Sequence, residues 1–503
     1  MIDRSLRHVV IVLLGCFVLL FVQLNRIQVF DAEELRQHPA NTRTVQRDFN
    51  RVRGPIVTAD NVVVARSEPV TNGPFEQQRV YPEGELYSHV AGYLSFVLGA
   101  TGVERTYNDD LVGRTPALQF DGLTGLLNQS EPTGEVVLTL RHDLQTIARD
   151  MLGDVNGSVV ALDPRTGEIL AMWSWPNFDP NLLASHNGQS VNDAFGQLNE
   201  AEGNPLRAKS YRDIFFPGST FKVVTAAAAL STDVATLTSP VFDVSAEYTP
   251  PLTTRPLSNF GGSSCGGDLI ELLRISCNTG FAELGAELLG PQRLIDQAQL
   301  FGFNAVPPLD IPGAVASRFP TDFGAELRPP SFELPAGVYE DSPALAQASI
   351  GQNDVSASPL QMAMVAAAIA NEGQLMLPHV VAEVRDVRGD VVRVIRPEVW
   401  QEPVTSGVAA DLRTMMINVV QNGTGGSVDV SGLDIGAKTG TAQLGTVPPQ
   451  SHAWMIAFAG RPNSEPELAV AVLVEGNEGA AEQTGGRVAG PIVRSIIEAY
   501  FAE

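Results

Sequence analysis

An uncharged run near the N-terminus limits what this chain can fold into more than any other feature. Residues 9–24 read VVIVLLGCFVLLFVQL. A helix that crosses a bilayer needs about 17 to 25 apolar residues, and residues 25–30 lengthen the run if the side chain of Arg26 reaches the membrane surface. A cleaved signal peptide is the alternative, but no A-x-A-like cleavage site follows. We therefore predict a retained membrane anchor over residues 9–30.

The distribution of charge predicts the orientation of the chain. Arg4 and Arg7 precede the apolar run, and positive residues favour the cytoplasmic side. We therefore expect a short cytoplasmic segment, 1–8, and a single-pass protein of the cell membrane whose remaining chain is extracytoplasmic. The formal net charge is -24, with a pI near 4.7. Nucleic-acid-binding proteins carry basic stripes, so nucleic acid is excluded as a partner.

The 503 residues allow two or three domains. Residues 53–67 read as strand, turn and strand, and we predict a small α+β domain without an obvious site over residues 31–140. From residue 141 the texture changes. The remaining elements that the pattern predicts are a helix over 143–153, a hairpin over 158–174, late buried strands over 452–460 and 468–476, and a closing helix over 490–503.

Between the hairpin and the late strands we expect a mostly helical block, roughly 218–375. It includes an alanine-rich helix, 361–373, that stops at Asn371-Glu372-Gly373. Strands at both ends of a segment with helices between them indicate one antiparallel sheet with helices on its faces. The fold class is therefore α+β, with residues 141–503 as one layered domain.

Lysine is rare in this chain and therefore informative. Of 33 basic residues only Lys209, Lys222 and Lys438 are lysines. Arginine does not give up its proton in a protein, whereas a desolvated lysine does. Lys222 follows Ser219 by three residues at the start of a helical pattern, STFKVVTAAAAL. A buried neutral lysine there is a base that activates the serine hydroxyl as a nucleophile.

Alone, S-x-x-K is a weak signal, because a capping serine and a solvated lysine give the same pattern. Two further stretches add weight. Ser276-Cys277-Asn278 lies in a helical context, and Lys438-Thr439-Gly440-Thr441 lies within DIGAKTGTAQ. The order S-x-x-K, S-x-N, K-T-G matches the signature of penicillin-binding proteins and class A β-lactamases, with Cys277 in place of the usual aspartate.

Two cysteines and one decoy motif lie between the S-x-x-K and K-T-G motifs. Cys265 and Cys277 are twelve residues apart, and spacing alone leaves open whether they form a disulfide or remain free thiols. Residues 262–266, GSSCG, match the nucleophile elbow G-x-S-x-G, but glycines and prolines surround them and we interpret them as a loop. No Cys/His array has metal-ligand spacing, so no metal or cofactor is expected.

With these motifs, the chain resembles the class B penicillin-binding proteins, which are monofunctional D,D-transpeptidases, and in size the penicillin-binding protein A type. The resemblance covers nearly the whole chain. It rests on the three motifs, the anchor, and four further stretches, namely RGPI (53–56), GVERTYNDDLVG (102–113), VALDPRTGEILAM (160–172) and SIGQNDVSASPLQMAMVAAAIANEG (349–373). It implies a serine β-lactamase-like transpeptidase domain over 141–503 and a pedestal or dimerisation-like domain over 31–140.

The resemblance also implies a role for each motif residue. Ser219 attacks the D-Ala-D-Ala end of a peptidoglycan stem peptide, and Lys222 accepts its proton, with its pKa held down by Lys438. Ser276 passes a proton to the leaving D-alanine, and Asn278 binds the substrate backbone. Lys438, Thr439 and Thr441 bind the terminal carboxylate, and Gly440 of the same motif belongs to the substrate-binding residues. β-Lactams acylate the same serine, and a membrane glycan polymerase or division proteins are the implied partners.

Three alternatives remain at this point. A β-lactamase of class A needs an E-x-x-L-N segment after the serine helix, and we find none. A D,D-carboxypeptidase uses the same site with water as acceptor, and only the family resemblance argues against it. A membrane-anchored scaffold or β-lactam sensor with a silent site predicts that Ser219→Ala leaves cells unaffected.

Overall fold

The computed structural model describes residues 2–30, 49, 51–71, 75–119, 133–332, 334–446, 450–476 and 483–502. The predicted first domain, 31–140, therefore lies partly outside the described residues. The chain starts with a helix, Ile2–Asn25, which continues as a π-helical turn, Arg26–Phe30. Within it, His8–Gln28 is long and apolar enough to cross a membrane, with a mean hydropathy of 2.3 and none of it buried against the protein. The predicted anchor is therefore helical.

The larger body is built on a five-stranded antiparallel sheet. Its spatial order is Asp434–Gln443, Ser451–Gly460, Leu468–Val474, Gly157–Leu162 and Ile169–Trp175. The predicted hairpin supplies the last two strands, and the late strands lie beside them, as the sequence indicated. The strand that carries the K-T-G motif is at an edge of the sheet, so no strand among the described residues pairs with its outer side.

Helices cover both faces of this sheet. His142–Leu152 and the closing helix, Gly485–Phe501, pack on one face, and Pro359–Ala370 and Ser406–Asn422 pack on the other. Every residue of the strands Ser451–Gly460 and Leu468–Val474 is buried. Burial on both faces explains why these strands read as continuous apolar runs without alternation. The closing helix begins five residues before the predicted start at 490, and its last predicted residue, 503, lies outside the described residues.

A second sheet joins distant parts of the chain. Its order is Val391–Val394, Val381–Arg385, Glu135–Leu138, Ile56–Val57, Val63–Pro69 and Gln77–Val80. The predicted strand, turn and strand of 53–67 is present as an antiparallel pair. Two of the six strands, however, come from residues 381–394, which the sequence analysis assigned to the later domain. Residues 381–385 pair with residues 135–138, and pairing between such distant segments leaves no local pattern, so only the folded chain reveals it.

Buried charges hold the first region together. Arg53 of RGPI and Arg79 both bind the carboxylate of Glu104 in GVERTYNDDLVG, at 2.9 and 2.5 Å. All three side chains are at most 1% exposed. Removing one partner of such a buried cluster leaves an uncompensated charge and is strongly destabilising. Two of the stretches that carry the family resemblance are thus joined directly.

The prediction of a mostly helical block over 218–375 is wrong in two places. Residues 232–268 and 301–341 are mainly loops with short two-stranded sheets, which glycines and prolines interrupt. The alanine-rich helix ends at Ala370, and Asn371-Glu372-Gly373 follow it as predicted. The short sheets pair Phe242–Ser245 with Cys265–Gly267, Glu247–Tyr248 with Leu257–Ser258, Glu326–Arg328 with Val338–Tyr339, Leu94–Ser95 with Gly99–Ala100, and Leu375–Met376 with Val399–Gln401.

The other helices are short and lie around the two sheets. In chain order they are Gly84–Tyr87, Ser88–Ala91, Gly102–Thr106, Asn108–Leu111, Pro116–Gln119, Pro180–Leu182, Gly188–Glu200, Lys209–Arg212, Gly218–Phe221, Lys222–Ser231, Phe260–Gly262, Leu269–Arg274, Asn278–Glu283, Leu284–Leu289, Gly290–Leu300, Ser342–Ala348 and Gly426–Val428.

Candidate active site

Ser219 lies on a tight turn rather than in an α-helix. Gly218–Phe221 forms a 3₁₀ turn, and the α-helix starts at Lys222. In a 3₁₀ turn the side chains at i and i+3 are eclipsed, so Ser219 and Lys222 are on the same side. We call Gly218–Phe221 the nucleophile turn. Ser219 is half-buried, whereas Lys222 is completely buried.

Two glycines let another segment approach this turn. The N–H of Gly218 donates to the carbonyl of Gly351 at 3.0 Å. A Cβ on Gly351 would be 2.1 Å from the carbonyl oxygen of Gly218, and Gly351 has a positive φ of 74°. Only glycine meets both conditions without strain. The SIGQN stretch, 349–353, therefore supports the nucleophile turn from behind.

Lys222 points into the second motif. Its Nζ donates to the carbonyl of Ser276 at 2.7 Å and to Oδ1 of Asn278 at 2.6 Å, and Oγ of Ser276 is 3.4 Å away. The ring of Phe281 is 5.7 Å from the same nitrogen. The hydroxyl of Ser219 is not among the hydrogen-bond partners that Lys222 has in the described chain. The structure thus brings Lys222 together with Ser276 and Asn278, with Ser219 on the adjacent turn.

Ser276 stands between two lysines. The helix before it, Leu269–Arg274, is capped by Asp268, whose side chain accepts the N–H of Glu271. Ser276 itself has a φ of 60°. A non-glycine residue in the left-handed region is uncommon and marks a position that the surrounding structure enforces. As a result, Oγ of Ser276 is 2.8 Å from Nζ of Lys438, besides its contact with Lys222.

The K-T-G motif faces the site from the edge strand, Asp434–Gln443. Lys438 is completely buried, and its Nζ also donates to the carbonyl of Thr439 at 2.8 Å. A Cβ on Gly440 would be 2.9 Å from the carbonyl oxygen of Pro217. Glycine at 440 therefore permits close contact between the edge strand and the chain that leads into the nucleophile turn.

Burial changes the acid–base behaviour of both lysines. It lowers the pKa of Lys222 well below its ordinary value, and the charge of Lys438 adds to the effect. Burial also lowers the pKa of Lys438, to about 7. The sequence predicts a neutral Lys222 through burial or a nearby cation, and in the structure burial is the larger cause and Lys438 the smaller. Desolvation disfavours the charged form of any buried amine.

The structure joins Cys265 to Cys277 in a disulfide, with the two Cα atoms 5.8 Å apart. The bond connects the central residue of S-x-N to the short strand Cys265–Gly267. The decoy motif GSSCG contains the other cysteine. A one-turn helix, Phe260–Gly262, precedes its serine instead of a strand, so the motif lacks the geometry of a nucleophile elbow.

Sequence reasoning missed three residues at the site. The hydroxyl of Thr424 is 2.8 Å from that of Thr439, the amide of Asn259 binds the backbone of Asn278, and Gly351 contacts the nucleophile turn. Gly351 had a signal, because its stretch carried part of the family resemblance. Thr424 and Asn259 lie in glycine-rich loops whose pattern does not distinguish them from ordinary turn residues.

Two families match this chain. Residues 157–498 match the penicillin binding protein transpeptidase domain. Residues 53–137 match the penicillin binding protein A dimerisation domain. The first match includes all three motifs, and the second includes the strands Ile56–Val57, Val63–Pro69 and Gln77–Val80.

Curated relatives and solved structures agree with these matches. The chain is 38% identical to the peptidoglycan D,D-transpeptidase PbpA of Mycolicibacterium smegmatis, covering 100% of this chain and 99% of the relative. It is 37% identical to PbpA of Mycobacterium tuberculosis, covering 99% of each. The penicillin G acyl-enzyme complex of penicillin-binding protein A from M. tuberculosis has a TM-score of 0.77 and 35% identity, covering 90% of this chain and 99% of that one. Its ceftriaxone complex has a TM-score of 0.79 and 34% identity, covering 91% and 100%. The chain therefore belongs to the penicillin-binding protein transpeptidase family.

Proposed function

We propose that this chain is a serine-type D,D-transpeptidase of peptidoglycan synthesis that acts through an acyl-enzyme on Ser219. One observation carries the proposal: Oγ of Ser276 lies 3.4 Å from Nζ of Lys222 and 2.8 Å from Nζ of Lys438, both buried, beside the nucleophile turn. The names of the relatives and the β-lactam acyl-enzymes of the similar structures support this reaction class.

Lys222 serves as the general base in the first step. A neutral amine keeps two N–H donors, and its two closest acceptors are the carbonyl of Ser276 and Oδ1 of Asn278. Its lone pair then remains available to accept the proton of Ser219. The Ser219 oxygen attacks the carbonyl carbon of the penultimate D-alanine, and a C–O bond forms.

Ser276 completes the proton transfer. Its hydroxyl contacts both lysine amines, so a proton taken up by Lys222 reaches the leaving nitrogen through Oγ of Ser276. The C–N bond breaks, the terminal D-alanine departs as an amine, and an ester on Ser219 remains. Lys438 stabilises charge on this path because it holds Ser276 at 2.8 Å.

The edge strand binds the substrate. Because Asp434–Gln443 has no neighbouring strand on one side of the described sheet, an extended peptide adds there as a further strand. Lys438, Thr439 and Thr441 bind its terminal carboxylate, and Gly440 keeps the strand close to the nucleophile turn. The N–H groups of Ser219 and Thr441 form the oxyanion hole, where each donor is typically worth about 3 to 4 kcal/mol.

The second half-reaction produces the cross-link. An amine of another stem peptide attacks the ester carbonyl and loses its proton to the same base. The C–N bond of the new amide forms, the C–O bond to Ser219 breaks, and the base returns the proton to the Ser219 oxygen. A D,D-carboxypeptidase would instead use water for this step.

The rest of the chain holds the catalytic domain at the membrane and beside its partners. We propose 1–8 as a cytoplasmic segment, 9–30 as the anchor, 31–140 as a pedestal domain and 141–503 as an extracytoplasmic catalytic domain. The pedestal contacts a membrane glycan polymerase or division proteins, and the cross-linking serves division. Affinity purification of the full chain from its own membranes tests this part, and recovery without such proteins would contradict it.

Intact mass spectrometry of the full chain in detergent, after brief exposure to benzylpenicillin, tests the proposed reaction. Opening of the lactam adds the whole drug without a leaving group, so we expect a persistent one-to-one adduct that maps to Ser219. Ser219→Ala is the control and should remain unlabelled. Rapid drug consumption without an adduct would instead indicate a β-lactamase, and neither adduct nor consumption would indicate a silent site.

A thiolester analogue of the stem peptide separates the two possible acceptors. In the presence of an amino acceptor, a transpeptidase forms the amide product in competition with hydrolysis. Hydrolysis alone at every acceptor concentration would identify a carboxypeptidase.

A further inference from the structure

We propose that Asn259 is the positioning residue that fixes the Ser276–Asn278 motif in its catalytic geometry. The inference rests on the proposed function, because it concerns the same acylation. Asn259 lies between the short strand Leu257–Ser258 and the one-turn helix Phe260–Gly262, and it is only 6% exposed. It is 19 residues away from Asn278 in sequence.

The side-chain oxygen of Asn259 caps the helix Asn278–Glu283, which we call the motif helix, from another part of the chain. Oδ1 accepts the N–H groups of Asn278 at 2.9 Å and Thr279 at 3.1 Å. These are the first two residues of the helix Asn278–Glu283, whose own N-cap residue, Cys277, makes no side-chain cap. The first N–H groups of a helix have no partner within it, and the disulfide sulfur of Cys277 is a weak substitute for a capping oxygen.

The side-chain nitrogen of Asn259 holds the amide in place. Nδ2 donates to the carbonyls of Ser245 and Ser263, each at 3.0 Å, and to the hydroxyl of Thr279 at 3.3 Å. Two N–H donors on one side and two carbonyls on the other fix which end of the amide is oxygen. Asn259 thus joins the motif helix to the two parts of the loop region 242–267 that contain Ser245 and Ser263.

The neighbouring residue orients the catalytic amide itself. Nδ2 of Asn278 donates to the carbonyl of Ser258 at 3.1 Å, which turns its Oδ1 toward Nζ of Lys222. The pair 258–259 therefore sets both the backbone and the side chain of Asn278. The disulfide between Cys265 and Cys277 secures the same helix to the same loop region, and it also limits how far Ser276 moves.

Replacing the amide should loosen the motif without touching the reacting atoms. Asn259→Leu keeps the side-chain shape and removes every hydrogen bond. Because a shift of about 1 Å in a catalytic group costs up to about a hundredfold in rate, we expect acylation by benzylpenicillin to slow by about tenfold to a hundredfold. The matched control is Asn181→Leu. The amide of Asn181 binds the N–H and C=O of Tyr81, both at 2.9 Å, next to the last strand of the second sheet, Gln77–Val80.

A second variant adds a readout that a purely structural role would not change. Asn259→Asp keeps the acceptor, loses the Nδ2 donor and adds a negative charge beside Asn278, whose Oδ1 accepts from Nζ of Lys222. That nitrogen also contacts Ser276 and the ring of Phe281, and the charge of Lys438 acts on it. A carboxylate favours the ammonium form and raises the pKa of Lys222. The rising limb of acylation rate against pH should therefore move to higher pH in Asn259→Asp and not in Asn259→Leu.

The experiment measures acylation rates of the full chain in detergent, with unfolding temperatures of the same samples. Slow acylation in Asn259→Leu, with normal acylation in Asn181→Leu at a similar loss of stability, would support the proposal. Wild-type rates in Asn259→Leu, or equal slowing in the control, would overturn it. If Asn259→Leu fails to fold, wild-type acylation rates in Asn259→Asp, which has lost the hydrogen bonds that Nδ2 donates to the carbonyls of Ser245 and Ser263, overturn it instead. A wild-type chain that is never acylated would refute the proposed function, and this inference with it.

Discussion

At the scale of single residues, the site depends on a lysine that arginine does not replace. Lys222 is completely buried, and burial together with Lys438 lowers its pKa. The first expectation from the sequence was that the few lysines mark chemistry, and two of the three meet at Ser276. The third, Lys209, forms an ion pair with Glu475 at 2.7 Å. Two of the three lysines therefore lie at the candidate site, and the third forms an ion pair with a partly buried carboxylate.

Lys222→Arg should abolish acylation although the charge is kept. Arginine stays protonated and does not accept the serine proton, and loss of a general base typically costs about 10² to 10⁴ in rate. Lys209→Arg is the matched control, because arginine preserves an ion pair. Penicillin labelling followed by mass spectrometry measures both variants. Normal labelling of Lys222→Arg would refute the role of Lys222 as the base.

Acylation should also weaken as Lys438 loses its charge. Its pKa is lowered to about 7, so it is protonated below that pH and increasingly neutral above it. A neutral Lys438 attracts the ligand carboxylate less, and the second-order rate constant reports the free enzyme. We therefore expect this constant for benzylpenicillin to fall between pH 7 and 9. A methyl ester of the drug should lack the fall, and a flat profile for the free acid would contradict the assignment.

At the scale of elements, the contact between the SIGQN stretch and the nucleophile turn depends on glycine at position 351. Gly351→Ala would place a Cβ 2.1 Å from the carbonyl oxygen of Gly218, at a φ of 74°. The turn has to move, and Ser219 moves with it. Strained substitutions at positive φ cost about 1 kcal/mol or more in the free energy of unfolding. We expect the variant to be both less stable and slower in acylation.

Gly373→Ala separates the two effects. Its Cβ would be 2.1 Å from the carbonyl oxygen of Val404, at a φ of 91°, after the alanine-rich helix. It should lose similar stability in chemical denaturation and keep the acylation rate. If both variants lost the same activity, the contact at Gly351 would have no special role in placing Ser219.

At the scale of the whole molecule, the anchor and the catalytic body are separable. The apolar span His8–Gln28 has none of its residues buried against the protein. Deleting residues 1–30 should therefore move the protein from the membrane fraction to the soluble fraction and leave the rate of benzylpenicillin acylation unchanged. Fractionation followed by penicillin labelling measures both. A truncated chain that stayed with the membrane, or that reacted more slowly, would show that the anchor does more than hold the protein.

Much of the site could be predicted from the sequence because each of its motifs consists of residues close together in the chain. S-x-x-K, S-x-N and K-T-G each occupy a few consecutive residues, and the strands of the large sheet show as apolar runs because helices bury both of their faces. The anchor is also a local pattern of uncharged residues. For these features the physical requirement acts on neighbours in sequence, so the sequence by itself determined them.

The remaining features depend on residues far apart in sequence. The capping of the motif by Asn259, the hydroxyl pair of Thr424 and Thr439, and the disulfide of Cys265 and Cys277 required folded loops to meet. The strands of 381–394 joined the second, six-stranded sheet in the same way. Loop residues carry no periodic pattern, and which of them meet is decided by packing and strand register. The sequence determined the chemical groups of the site and its local elements, whereas only the tertiary structure decided what holds those groups in position.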